Sequence, residues 1–105
     1  MDEVTDATFA DEVLASRVPV IVDFWAPWCK PCDAIEPHLI EISEAHGDRV
    51  RLVRLNVDEN LAVPPRYGVL SLPTVMLFAH GEPHVTVYGA HSRDHYARTF
   101  EPLLR

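Results

Sequence analysis

Hydrophobic and polar positions follow two rhythms along this chain. In residues 6–16 (DATFADEVLAS), Phe9, Val13 and Leu14 fall on one face of a predicted helix, with Asp6 placed to cap it. Residues 18–26 (VPVIVDFWA) replace that period with a near-continuous run of β-branched and aromatic side chains, the pattern of a strand buried on both faces. A single charge, Asp23, interrupts the run. The helical period returns over 32–46, where Ile35, Leu39 and Ile42 mark a buried side and Glu36, Glu41 and Glu44 a solvent side. Pro37 predicts a kink in this helix and Gly47 its end.

Residues 50–57 (VRLVRLNV) predict a second strand, and 59–67 a short helical or turn segment broken by Pro64-Pro65. Strands at 74–79 and 84–89 flank the turn His80-Gly81-Glu82-Pro83 and predict a hairpin. Ser92 then caps a last helix with Tyr96, Phe100 and Leu104 on one face, and Pro102 loosens its final turn. Strands that alternate with helices imply an α/β domain with a largely parallel sheet, an antiparallel hairpin at its end and helices on both faces.

Composition narrows the class. With 105 residues the chain has room for one domain, spanning 1–105. A hydrophobic share of 48% and a charged share of 24% argue against disorder. No apolar stretch approaches the ~18–20 residues of a membrane span. The acidic, polar start MDEVTDATF does not read as a secretory signal, so a cytoplasmic location is expected. A net charge of −7 makes nucleic acid and anionic membrane poor partners.

Two cysteines, Cys29 and Cys32, flank Lys30-Pro31, and Lys30 is the only lysine in the chain. Taken alone, the pair admits three readings: a redox couple, half of a metal site, or coincidence. Its place between a buried strand and a helix has chemical weight. Cys29 falls at the helix N-terminus, where free N–H groups and the macrodipole favour a thiolate. Cys32 is close enough to reach it, and Pro31 suits the first helical turn. Among six histidines, His80/His84 and His91/His95 have H-x3-H spacing, but His80 lies far beyond the ~12–15 residues that a zinc finger would leave after Cys32. His80 and His84 read instead as flanking the hairpin turn. His91 precedes the Ser92 cap and is not expected to share a helical face with His95. No metal site is expected.

The segment VDFWAPWCKPC resembles the active-site segment of the thioredoxin family, VDFWAxWCGPC. TDATF, the helix proline Pro37, RLNVDEN, YGVLSLPTVMLF, HGEPHVTVYGA and SRDHYARTFEPLL resemble the family's remaining segments, in order. The resemblance implies the thioredoxin fold: a central mixed β-sheet of four to five strands flanked by helices on both faces. It implies that Cys29 attacks a disulfide in a partner protein and that Cys32 resolves the mixed disulfide. It places Asp23 beneath the cysteines, assisting proton transfer for Cys32, and gives Pro73 a cis bond. It assigns an apolar docking surface to Trp28, Leu72, Tyr88, Gly89 and Ala90, with Trp25 beside the active-site turn. It implies no bound cofactor and electrons drawn from NADPH through a thioredoxin reductase. The partners are then that reductase and disulfide-containing protein substrates, met by a monomer. Two other readings stay open: an oxidising or isomerising member of the fold, and a partner-binding module whose redox cycle is dispensable.

Several positions depart from the family pattern. Lys30 stands in place of glycine. Arg54 stands where lysine is frequent and, if it meets Asp23, should hold that carboxyl ionised. Asp33 follows Cys32 where lysine is common, at a helix start that favours acids. Only Met1 to Thr5 precede the first helix, so the first strand should be short or absent. An ammonium close to Cys29 favours its thiolate, and stabilising the reduced form makes the disulfide a stronger oxidant, with ~1.4 kcal/mol worth ~30 mV. Lys30→Gly is therefore expected to raise the Cys29 pKa and make the reduction potential more negative, measured by thiolate absorbance and glutathione equilibration. An unchanged pKa and potential would refute the role given to Lys30.

Overall fold

The computed structural model of the chain describes all 105 residues. Five strands form one sheet: β1 (Asp2–Glu3), β2 (Val20–Trp25), β3 (Arg51–Asn56), β4 (Thr74–Ala79) and β5 (Glu82–Tyr88), in the order β1-β3-β2-β4-β5. β1, β3 and β2 run parallel, while β4 and β5 are antiparallel to their neighbours. The sheet is therefore mixed, as expected, and its first strand is two residues long.

β2 is paired on both sides, and five of its six residues are buried. Its residues alternate between two cores. Val20, Val22 and Phe24 face a layer built by Phe9 and Val13 with Val63 of α2 (Val63–Arg66). Ile21 faces the opposite layer, where Ile35, Leu39 and Ile42 of α1 (Lys30–His46) meet Tyr96 and Phe100 of α3 (Arg93–Phe100). The i, i+4, i+7 spacing on α1 makes that contact, and it is the spacing that the apolar positions display in the sequence.

The ends of the elements hold several differences from expectation. The first helix shrinks to a π-helical turn, Ala10–Leu14, closed by the N–H of Ala15 on the carbonyl of Ala10. Asp6 does not cap it. Its carboxylate accepts the N–H groups of Ala62 at 3.0 Å and Val63 at 2.9 Å, and so caps α2, 56 residues away. That bond gives the free N–H groups at the start of α2 an acceptor. Pro64 and Pro65 sit inside α2 rather than breaking it, because the first turn needs no N–H from them. α1 starts at Lys30, two residues earlier than the periodicity indicates, and stops at Gly47 with φ of 55°. The hairpin turn is shorter than the expected His80–Pro83: it closes on His80 and Gly81, both at positive φ, which matches the right-handed twist of the flanking strands, and Glu82 and Pro83 already pair within β5. Ser92 caps α3 by accepting the His95 N–H, and a 3-10 turn, Glu101–Leu104, follows at Pro102.

Three buried side chains leave a polar atom without a partner, Trp25 at Nε1, His46 at Nδ1 and Asp23 at both oxygens, and only Asp23 carries an ionisable acid there. Asp23 is fully buried in the middle of β2, and neither carboxylate oxygen accepts a hydrogen bond. Burial is the main reason that its pKa rises from 3.8 to about 7. The nearby charges of Glu36 and Glu3 raise it further, and Arg54 pulls it down. Between those two pH values the unfolded chain releases this proton while the folded chain keeps it, so the folded state loses stability as pH rises. At about 1.4 kcal/mol per pH unit, the ionised form costs roughly 4 kcal/mol. Asp23→Asn is therefore expected to be more stable than wild type, by a margin that grows by up to about 4 kcal/mol between about pH 4 and pH 9. Urea denaturation of the oxidised protein measures this, and a margin that does not change with pH would contradict it.

Candidate active site

At the end of β2 the chain leaves the sheet, passes Ala26 and Pro27, and enters α1 at Cys29. Cys29 is the N-cap: its backbone is extended, and its sulfur accepts the N–H of Cys32 at 3.2 Å. The two cysteines form a disulfide, with Cα atoms 5.3 Å apart. They are only 3% and 2% exposed and pack with Ala26, Trp25, Val57 and Leu72. Pro31 occupies the first turn of α1, as its missing N–H permits. Lys30 is exposed at the first position of the helix and pairs with no carboxylate, and Asp33 is exposed within the same turn. The Cys32 N–H and the helix N-terminus are both aimed at the Cys29 sulfur, an arrangement that favours negative charge there.

The rim of the site comes from three loops. Trp28 is 67% exposed, and its Nε1–H donates to Asp58 at 3.0 Å. The Asp58 N–H in turn donates to Asn56 at the end of β3. Behind Trp28 an apolar cavity of about 150 Å³ is lined by Val57, Val69, Leu70, Ser71 and Leu72, and Leu70 is 91% exposed. The Leu72–Pro73 bond is cis, and neither the N–H nor the carbonyl of Leu72 is hydrogen-bonded. The third loop follows β5. The Gly89 N–H donates to the Pro73 carbonyl at 2.9 Å, which seats Gly89 against the cysteine-facing loop. Gly89 has φ of 84°, a conformation that glycine adopts without strain. Tyr88 and Ala90 on either side of it are exposed.

The structure therefore gathers Trp28, Leu72, Gly89 and the cysteines at one end of the sheet, with Tyr88 and Ala90 on the adjoining surface. It also changes the picture of Arg54. Asp23 and Arg54 are in register on neighbouring strands, yet they do not pair. The Arg54 guanidinium lies 3.9 Å from the Trp25 ring centroid, donates to Glu3 at 2.7 Å and donates to Glu36 at 3.0 Å. Two acids and an aromatic face hold it, while Asp23 on the neighbouring strand stays fully buried without a hydrogen bond. Arg54 consequently does not hold Asp23 ionised.

Other roles were not legible. Glu36 reads from periodicity as a solvated residue but grips Arg54. Asp58 follows an apolar strand in RLNVDEN, and its only signal is that abrupt change of polarity. Tyr96 lies on the buried stripe of α3, and its hydroxyl donates to the Gly89 carbonyl at 3.0 Å. His91 and His95 do come together, against expectation: their rings stack with centroids 4.2 Å apart, because the chain bends at the Ser92 cap and brings His91 back over the first turn. His91 Nε2 also donates to the Tyr88 carbonyl. No group of three or more histidine, cysteine or acidic side chains is placed to hold a metal ion. No helix is long and apolar enough to cross a membrane.

Comparison with known proteins agrees with this geometry. The family model described as Thioredoxin matches residues 1–101. Thioredoxin 1 of Synechococcus elongatus is 48% identical over 101 residues, covering 96% of this chain and 94% of the relative. Thioredoxin of Rickettsia bellii is 47% identical over 91 residues, covering 87% of each. Thioredoxin 1 of a Nostoc species is 44% identical over 102 residues, covering 97% of this chain and 95% of the relative. With a matching model over almost the whole chain and a cysteine pair at the N-cap of α1, this chain belongs to the thioredoxin family of protein-disulfide oxidoreductases.

Proposed function

We propose that the chain is a cytoplasmic reductant of protein disulfides that works as a single-domain monomer with Cys29 as its attacking group. The observation that carries the assignment of roles is the N-cap: the Cys29 sulfur accepts a helix N–H, while Cys32 lies inside the first turn. The Cys29 thiolate attacks one sulfur of a substrate disulfide. A Cys29–substrate bond forms, and the other substrate sulfur leaves as a thiolate that takes up a proton. The Cys32 thiol gives its proton to the Asp23 carboxylate and attacks Cys29. The mixed disulfide breaks, the second substrate thiol is released, and the Cys29–Cys32 disulfide holds the two electrons' worth of oxidation. A thioredoxin reductase using NADPH returns the dithiol.

Substrate docking in this reading uses the exposed ring of Trp28 and the apolar cavity behind it. An extended peptide beside the cysteines meets the free N–H and carbonyl of Leu72, which supports backbone pairing of the kind strands make. Tyr88, Gly89 and Ala90 flank the same channel. Lys30, Pro31, Arg54 and Pro73 act as tuning positions around it. A lone close cysteine pair with no other disulfide suits a reducing compartment, where disulfides are transient and catalytic.

Turnover of a disulfide-bonded model protein tests this reading, with NADPH and a thioredoxin reductase or with dithiothreitol as donor. Cys29→Ser is expected to lose turnover by at least about a thousandfold, as removal of a nucleophile does. Cys32→Ser is expected to accumulate a mixed disulfide with substrate, visible by mass. Absence of wild-type turnover with either donor, or turnover retained in Cys29→Ser, would overturn it.

A further inference from the structure

Asp23 stands among charges that α1 and the sheet edge bring to it. Glu3 of β1, Arg54 of β3 and Asp23 of β2 lie side by side in register, and Glu36 reaches the same place from α1. α3 contributes the neutral hydroxyl group of Tyr96, which feels the Asp23 charge. β4 contributes apolar Val75 opposite Asp23. Three formal charges therefore face the carboxyl, and two of them are negative.

The single cation among them is held by both acids. Arg54 places Nε on Glu3 and Nη1 on Glu36, with its face on Trp25. Two acids compensate its charge, and it donates no hydrogen bond to Asp23, whose oxygens stay without a partner. Glu36 is the less exposed of its two acids, 31% against 45% for Glu3. Of the charges around Asp23, that of Glu36 acts on it most strongly. Glu36 is one turn beyond Cys32 on the same helix, so the segment that carries the resolving thiol also carries the group that governs the cation.

We propose that Glu36 is a positioning residue for the resolving step: by holding Arg54 Nη1 it keeps the guanidinium from pairing with Asp23, so that the buried carboxyl stays without a partner. This inference rests on the reading of Asp23 as the acceptor of the Cys32 proton. Glu36 touches no substrate and no reacting sulfur; it acts through Arg54 and Asp23. Loss of its charge removes a repulsion from ionised Asp23, and loss of its side chain also frees Arg54 Nη1.

The test uses Glu36→Gln, which keeps an acceptor for Arg54, and Glu36→Ala, which does not. The Asp23 carboxyl carbon is titrated by NMR in the oxidised protein, and the pH profile of the resolving step is recorded from decay of a mixed disulfide on Cys29. The expected result is an Asp23 midpoint lower by about one pH unit in Glu36→Ala, a tenfold change in its ionisation constant, with a smaller drop in Glu36→Gln. The resolution profile moves to lower pH by the same amount, and Glu3→Gln moves both less. A tie between helix and sheet that is only structural would change stability and leave the midpoint in place. An unmoved midpoint in both variants, with native circular dichroism, would overturn the role of Glu36. A midpoint that moves while the resolution profile stays fixed would overturn the proposal by removing Asp23 from proton transfer.

Discussion

A carboxyl group without a hydrogen bond, fixed in the central strand of the sheet, is the constraint around which this molecule is arranged. Burying an ionisable group unpaired opposes folding, and the sheet tolerates it because the rest of β2 is apolar and paired on both sides. The same rigid strand delivers the chain to the N-cap of α1 a few residues later. The carboxyl is thereby fixed in β2, and the disulfide at the first turn of the helix that follows it.

Electrostatics divides the site into two zones. At the surface, the helix N-terminus and the Cys32 N–H favour negative charge on Cys29. Inside β2, burial and the excess of acids over the engaged Arg54 disfavour negative charge on Asp23. The two influences are opposite in sign and have different physical causes. Trp28 and the loops around Leu72 and Gly89 surround both zones with apolar surface and unpaired backbone groups. Each loop is tied down by a specific bond, Trp28 to Asp58 and Gly89 to Pro73.

Much of this was readable from the amino acids. The buried run of 18–26, the 3.6 period of α1, the hairpin at His80-Gly81 and the cap at Ser92 are local signals, and local forces decide them. The cysteine motif, Asp23 and Pro73 follow from the family resemblance together with the oddity of an acid in an apolar strand. What escaped is what depends on distant contacts. Asp6 has the residue type of a cap, but the helix end that needs it is 56 positions away. Arg54 neighbours Asp23 in register, yet nothing in the sequence says that Glu3 and Glu36 converge on the same guanidinium. His91 stacks on His95 because a backbone bend at Ser92 overrides helical spacing. Periodicity marks Glu36 as solvated, which is half true, since the side chain is partly exposed while its charge acts inward.

Much of the site's electrostatics turns on the state of that central carboxyl. Its direct test is the titration of Asp23 in oxidised wild-type protein, followed through the carboxyl carbon by NMR across the acid and neutral range. The structure predicts a midpoint of about 7, with the group half protonated near neutrality. A midpoint near 3.8, the ordinary value for the group, would mean that Asp23 is paired or solvated in a way this packing excludes, and would contradict the account.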